Sequence, residues 1–248
     1  MNSTEAAGNL VHQVTQAVGC AIVQGTFAEE NAMITEADLS VRFQISRTVI
    51  REAVKTLAAK GLLTSRQRRG IRIAPCSQWN MFDEDVLQWT LSGTPSLNLL
   101  REFAQLRLAI EPEAAALAGQ CKEAAKIHDI QLAADALLSA EQQGLSEYDA
   151  DLHFHTVIFA ATENRFFVQF RSFIQAALRV SIQCNFGIEG NKQAVADPHM
   201  QVYLAIAAGN ADLSRQLMRD MLVENLRLID LAIAQQANRS NGALISQR

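Results

Sequence analysis

The pattern of hydrophobic and polar positions is helical along most of the chain, with one short interruption by strand-like segments. Between residues 47 and 60, apolar side chains recur at the i, i+3, i+4 and i+7 spacing of one helix face: Ile50, Ala53, Val54 and Leu57. Gly61 is placed to end this helix as a C-terminal glycine does. Thr35 and Asp38 have capping-box spacing and predict a shorter helix before it, with residues 44–46 as the turn. The pattern therefore predicts a helix-turn-helix.

Two short strands, residues 62–64 and 71–73, are predicted around the basic segment 66–70, so the helix-turn-helix would carry a β-hairpin wing. Residues 41–72 contain nine lysines and arginines against one glutamate, a net charge of +8 in a chain of net charge −4. A helix with small, hydroxylated and basic residues at its start is suited to the DNA major groove, where arginine reads guanine. The pattern and the charge together favour DNA binding.

Beyond a boundary at residues 75–80, the pattern predicts a short helix over residues 84–91 and then a bundle of amphipathic helices. Pro112 is expected to kink or restart the first helix of the bundle. The predicted fold class is mainly α, a winged helix-turn-helix followed by an all-α helical bundle. The predicted domains are residues 1–75 for DNA binding, 76–95 for a linker with its short helix, and 96–240 for the helical domain.

Composition narrows the classes of protein that fit. The apolar runs are too short to cross a membrane, and the first ten residues lack the basic and apolar regions of a signal peptide. Four cysteines stand far apart, without metal-type or redox spacing, which suits a reducing compartment. No Ser–His–Asp order, HExxH motif or glycine-rich phosphate loop is present, so catalysis is not expected. We expect a cytoplasmic protein that is nucleoid-associated when bound to DNA.

The helix predicted at residues 148–161 offers a second candidate site. Asp151 and His155 are four residues apart and share one helix face, and His199 begins a later helix after Pro198. A carboxylate and two imidazoles that converge inside a helical bundle would suit a divalent metal ion. An ordinary hydrogen bond between aspartate and histidine is the alternative, and the spacing alone leaves both interpretations open.

Residues 34–73, with SR.VIREA..L...GLL as their most specific part, resemble the winged helix-turn-helix of the GntR family of bacterial regulators. The resemblance implies DNA contacts at the turn, the start of the second helix and the tip of the wing. These positions correspond to Ser46, Arg47, Thr48, Val49, Arg51, Arg69 and Gly70. Many relatives have an arginine where this chain has Ala37, so a contact from the first helix is expected to be missing.

Residues 97–235 resemble the helical ligand domain, the FCD domain, of the fatty-acid-regulator (FadR) subfamily of GntR proteins. The resemblance is carried by R..IEP.AA.LA from Arg107, D..FH from Asp151 and H..V..AI..GN from His199. In metal-bearing relatives the ligands are one aspartate and three histidines. Asp151, His155 and His199 match three of them, whereas Met221 stands at the fourth position. The resemblance therefore implies zinc, nickel or manganese held by three protein ligands, or an effector pocket without a metal.

Arg107 has two interpretations. It lies on a helix that should be largely buried, where it either pairs with Glu111 one turn later or clamps the carboxylate of an effector. Many relatives sense organic or sugar acids, and WN.FDEDVLQW in the linker is most similar to regulators of aldonate catabolism of the galactonate type. The implied effector-binding residues are Arg107, Asp151, His155 and His199.

The resemblance implies a homodimeric regulator that binds a pseudo-palindromic DNA operator. We expect a repressor of a carbohydrate or organic-acid catabolic operon, controlled by a small carboxylate effector, with an aldonate as the favoured candidate. Two alternatives stay open. One is a metal-dependent enzyme domain fused to a DNA-binding head, and the other is an architectural DNA-binding protein whose helical domain only dimerises.

Overall fold

The computed structural model describes residues 3–27, 33–66, 70–92, 96–143, 147–186 and 196–245. The chain divides into two compact units, Met1–Thr94 and Pro95–Arg248. The predicted class, mainly α with a small β-sheet in the N-terminal part, is confirmed. Within the described residues, no helix is both long enough and apolar enough to cross a membrane.

The first unit contains the predicted helix-turn-helix. Its described elements in chain order are α1 (Ser3–Val23), β1 (Met33–Ile34), α2 (Glu36–Phe43), α3 (Arg47–Ala59), β2 (Leu63–Arg66), β3 (Gly70–Ile73), a 3-10 turn (Cys76–Gln78) and α4 (Glu84–Leu91). Thr35 and Asp38 form the predicted capping box at the start of α2. Gln44 ends α2 with a φ of 55°, in the left-handed region, and so turns the chain towards α3. Ser46 lies at the N-cap of α3, but its side chain makes no capping hydrogen bond.

The wing belongs to a three-stranded antiparallel sheet whose strands lie in the order β1-β3-β2. Leu63 is opposite Ile73 and Arg66 is opposite Gly70, so the hairpin lies where the sequence predicts it. The strand β1, which pairs Met33 with Arg72, was not predicted. A two-residue strand is too short to show any periodicity, and only its pairing with β3 defines it.

The core of the first unit lies between α1, α3 and the short helix α4. The predicted inward face of α3 is buried together with an apolar stripe of α1: Val14, Val18 and Ile22. Trp89 of α4 packs so closely on Gly19 of α1 that a Cβ at this glycine would collide with the indole ring. Trp79 donates a hydrogen bond from its indole nitrogen to the carbonyl oxygen of Ala74, at 2.9 Å. Both tryptophans therefore have structural roles.

The second unit is a bundle of helices. Its described elements are α5 (Leu97–Ala118), α6 (Ala124–Gln143), α7 (Tyr148–Ala161), α8 (Arg165–Phe186), α9 (Ala196–Ala207) and α10 (Ala211–Ile245). Of the two outcomes expected at Pro112, a kink or a restart, the restart is wrong, because α5 continues as one helix through this buried proline. Buried residues on both sides of the proline stabilise the helix there by packing. The helix α9 begins at Ala196, three residues before the predicted start at His199. Pro198 lies in the first turn of α9. A backbone N–H at this position would make no hydrogen bond within the helix, so the proline is tolerated there.

The helices α5 and α10 pack against each other in antiparallel orientation. Arg101 of α5 pairs with Asp230 at 2.6 Å, and Arg215 of α10 pairs with Glu113 at 2.8 Å. Leu100, Ala104 and Ile229 form a buried apolar cluster on the contact between these two helices. Helices α7 and α9 also contact α5, so polar side chains on the inner faces of all three helices meet in the interior.

Candidate functional site

The candidate effector and metal site is built from three helices of the second unit. Arg107 and Glu111 come from α5, Asp151 and His155 from α7, and His199 from the first turn of α9. The two pairs are each separated by four residues, so each pair projects from one face of its helix. His155 and His199 are buried, as are both residues from α5.

Glu111 holds two of its neighbours in place. Its Oε1 accepts a hydrogen bond from Nε of Arg107 at 2.5 Å, and its Oε2 lies 2.6 Å from Nδ1 of His155. An ionised carboxylate only accepts hydrogen bonds, so Nδ1 of His155 carries a proton and donates a hydrogen bond to Oε2 of Glu111. This arrangement fixes the orientation of the ring, as carboxylates beside metal-binding histidines do. The other ring nitrogen, Nε2, faces Asp151 and His199.

Three potential ligand atoms converge beside Glu111. Oδ1 of Asp151 lies 2.9 Å from Nε2 of His199 and 3.3 Å from Nε2 of His155, and the two Nε2 atoms are 3.4 Å apart. Ligand atoms around a tetrahedral zinc ion with bonds of about 2.0–2.1 Å are separated by roughly 3.3–3.4 Å. The donor set therefore fits a divalent cation. Without a metal ion, a proton must lie between these atoms, because lone pairs that face one another repel.

The buried charges also require an additional cation or proton. Burial alone would raise the pKa of Glu111, but Arg107 and His155 outweigh it and lower this pKa to about 2. Burial likewise opposes ionisation of Asp151, yet hydrogen bonds from His155 and His199 hold its pKa well below the ordinary range. Two carboxylates against one guanidinium leave one negative charge uncompensated. Burial and the nearby Arg107 oppose protonation of His155, but Glu111 and Asp151 together outweigh them and raise its pKa, so this ring is suited to carry the compensating proton.

The structure places the predicted site residues as follows. Arg107, Asp151, His155 and His199 lie together, and the Arg107–Glu111 pair, one of the two interpretations of Arg107, is formed. Nη2 of Arg107 is also 3.1 Å from Nε2 of His155. The role of Glu111 as the bridge to His155 was missed, although its four-residue spacing from Arg107 was visible in the sequence.

Two residues of α10 bear on the fourth ligand position. Met221 is half-buried, and its thioether is a poor ligand for a hard or borderline cation. Asn225 is one turn later, and its Oδ1 is buried without a hydrogen-bond partner among the described residues. The structure thus contains a buried, unsatisfied polar atom on α10. The spacing of Met221 and Asn225 in the sequence did not show that this atom would be buried.

The candidate DNA-binding residues cluster at the start of α3. Ser46, Arg47, Thr48 and Arg51 are exposed, whereas Val49 is half-buried and packs against the core. Gly70 begins β3 with a φ of 75°, a left-handed value that favours glycine. Arg69 lies outside the described residues.

Comparison with known proteins agrees with both parts of the chain. The model of the bacterial regulatory proteins of the gntR family matches residues 10–73, and the FCD domain model matches residues 102–224. The chain belongs to the GntR family of bacterial regulatory proteins and carries an FCD domain. Its relatives are DNA-binding transcriptional regulators.

Two curated relatives from Escherichia coli (strain K12) show how far the similarity extends. The galactonate operon transcriptional repressor is 26% identical over 220 residues, which cover 88% of this chain and 96% of the relative. The uncharacterised HTH-type regulator YieP is 30% identical over 167 residues, 66% of this chain and 72% of the relative. The solved structure of Lar, which controls expression of the Listeria monocytogenes agr system, has the same fold. Its TM-score is 0.52 at 18% identity, covering 88% of this chain and 95% of that chain.

Proposed function

We propose that this protein represses a carbohydrate or organic-acid catabolic operon and that a small carboxylate effector controls its binding to DNA. An aldonate is the favoured effector, because the galactonate operon repressor is similar over 96% of its own length. The observation that carries the effector proposal is the buried group of Arg107, Asp151, His155 and His199 in the FCD domain. The guanidinium of Arg107, together with a divalent cation held by Asp151 and the two imidazoles, would suit a ligand that has a carboxylate and hydroxyls.

Each residue of this group has a proposed role. Arg107 binds the effector carboxylate through its guanidinium, while Glu111 keeps the guanidinium and the ring of His155 oriented. Asp151, His155 and His199 hold a divalent cation, which would attract the carboxylate and an adjacent hydroxyl of the effector. Met221 supplies no good fourth ligand, which favours weaker metal binding and leaves coordination positions for the effector.

The DNA-binding residues act through α3 and the wing. We propose that Arg47 and Arg51 contact bases, that Ser46, Thr48 and Val49 line the groove, and that the wing tip at Arg69 and Gly70 contacts the DNA backbone. One basic head neutralises few phosphates, so we also propose a homodimer that reads a pseudo-palindromic operator. Sedimentation that showed a monomer at micromolar concentration, both free and on DNA, would contradict this assembly.

The central experiment selects DNA duplexes from a randomised library with the wild-type protein and then measures the binding of the selected duplex in a panel of sugar acids. One acid should change the affinity for DNA and also raise the melting temperature, without being consumed. Chemical turnover of the acid would indicate a metal-dependent enzyme instead. DNA binding that no acid affects would indicate an architectural protein.

A pair of variants of α7 tests the pocket. His155→Ala leaves the Arg107–Glu111 pair in place and should abolish the response to the acid, because it removes a proposed ligand. His153→Ala is the matched control, since this histidine lies two residues away on the exposed side of the same helix. Equal responses to the acid in both variants would exclude the pocket as the effector site.

A further inference from the structure

An ion pair joins the two helices of the helix-turn-helix at the surface proposed to face DNA. Nη2 of Arg51 on α3 donates to Oε2 of Glu36 on α2 at 3.1 Å, and Nε donates to the same carboxylate at 3.3 Å. Glu36 is the first residue of α2, directly after the capping residue Thr35. The carboxylate is therefore attached to a well-defined helix start, and it holds one edge of the guanidinium in a defined position.

We propose that Glu36 is a specificity-determining residue that orients Arg51 to read one guanine in each half-site. The proposal rests on the proposed function of α3 as the DNA-reading helix. A guanidinium has a side edge, formed by Nε and Nη2, and an end, formed by Nη1 and Nη2. Glu36 occupies the side edge, and Nη1 makes no hydrogen bond among the described residues. The free end matches the O6 and N7 acceptors of guanine.

The orientation matters because Arg51 is otherwise an exposed, flexible side chain. An unrestrained arginine would present either edge and would bind phosphates as readily as bases, which gives affinity without sequence information. Because Glu36 occupies the side edge, Arg51 has fewer rotamers available in the free protein. Arg51 therefore loses less conformational entropy when the end of its guanidinium binds a base. The negative charge of Glu36 also disfavours a close approach of phosphates to this position. Both effects favour specific over non-specific binding.

Stability is not the expected contribution of this pair. Arg51 and Glu36 are both accessible to water, and exposed ion pairs add little to the free energy of unfolding. The substitution Glu36→Gln should therefore leave the melting temperature unchanged. This makes specificity the property to measure.

The experiment compares three proteins by selection from a duplex library that is randomised across the binding site. They are the wild type, Glu36→Gln and Glu52→Gln. Glu52 is the matched control, because it is an exposed glutamate of α3 that pairs with Lys55 at 2.8 Å and does not hold Arg51. Both substitutions remove one negative charge from the same unit, so both should tighten binding to a scrambled duplex, and Glu36→Gln should do so at least as much because it also releases Arg51 to phosphates.

Of the two glutamate variants, only Glu36→Gln should reduce the preference for guanine, by roughly tenfold at one symmetric pair of positions. Arg51→Ala should lose the preference at the same positions, and adding Glu36→Gln to Arg51→Ala should cause no further loss. Two results would overturn the proposed role of Glu36 while leaving the proposed function intact. One is an unchanged guanine preference in Glu36→Gln, and the other is a loss of preference at positions that differ from those affected by Arg51→Ala. A wild type that selects no sequence would overturn the proposed function, and this inference with it.

Discussion

Two arginine–glutamate pairs in this protein have the same chemistry and opposite surroundings. Arg51 and Glu36, on the proposed DNA-facing surface, have side chains that are 62% and 31% exposed, with their closest atoms 3.1 Å apart. Arg107 and Glu111, inside the helical bundle, are 4% and 1% exposed and are 2.5 Å apart. Solvent is the main difference between the two pairs, and it determines what each pair is able to do.

Water surrounds the exposed pair, so its charges are screened. Either residue can therefore exchange its partner at a small cost in free energy. An arginine in that setting is available to DNA. The buried pair has no water to replace a lost partner, and each of its groups depends on the other for compensation of its charge. Glu111 is therefore held in one position, where it also orients the ring of His155. The other residues of the proposed effector site are arranged around it.

The largest expected difference between the pairs is in stability. Arg107→Met leaves Glu111 buried beside His155 with one cation removed, and we expect a loss of about 3–5 kcal/mol in the free energy of unfolding. Arg51→Met should give the wild-type value, because Glu36 remains hydrated. Urea denaturation of both variants measures the difference. Equal stabilities would mean that burial does not distinguish the two pairs.

Metal binding should stabilise only the buried site. Zinc, nickel or manganese added to chelator-treated protein at a hundred times its dissociation constant should add about 2.7 kcal/mol to the free energy of unfolding. Asp151→Asn should remove this gain, whereas His153→Ala should keep it. The gain should also decrease as the pH falls, because protons compete for the imidazole lone pairs and the raised pKa of His155 favours the proton at that ring. Calorimetric titration together with elemental analysis checks the prediction, and a wild type that binds none of the three metals would exclude the cation.

A base-reading arginine of the exposed surface should affect DNA specificity and leave the fold intact. Arg47→Ala should lose about 1–3 kcal/mol of discrimination between the selected duplex and a scrambled one, because a contact to a base edge disappears. Helix content and oligomeric state should not change. Fluorescence anisotropy at several salt concentrations measures the loss, with Arg101→Ala in the second unit as the control. A uniform loss on both duplexes would instead make Arg47 a phosphate contact.

The smallest expected effect is a difference in the pH dependence of stability in acid, to which Glu111 contributes. Its folded pKa of about 2 lies below the ordinary value of 4.5. A carboxyl group with a lowered pKa contributes stability that is present above the unfolded pKa and is lost as the pH falls towards the folded pKa. We expect the wild type to lose stability below about pH 4.5 more steeply than Glu111→Gln does. Unfolding curves between pH 6 and pH 3 test this, and parallel pH dependences would contradict it.

The sequence by itself determined the features that depend on near neighbours. The inward face of α3, the capping box at Thr35 and the glycine that ends α3 all follow from local spacing, and the structure has each of them. The limits of α7 are those predicted, and Asp151 and His155 share a face because four residues make about one helical turn. Periodicity was sufficient for these features since backbone geometry alone relates residues a few positions apart.

Only the tertiary structure decided which distant residues meet. His199 lies 44 residues beyond His155, and their ring nitrogens come within 3.4 Å only because α7 and α9 pack in the same bundle. Arg51 and Glu36 are 15 residues apart, and the turn between α2 and α3 brings them together. Packing also carried α5 through Pro112, against the local preference of proline. These outcomes depend on the burial of whole helix faces, which no short stretch of sequence contains.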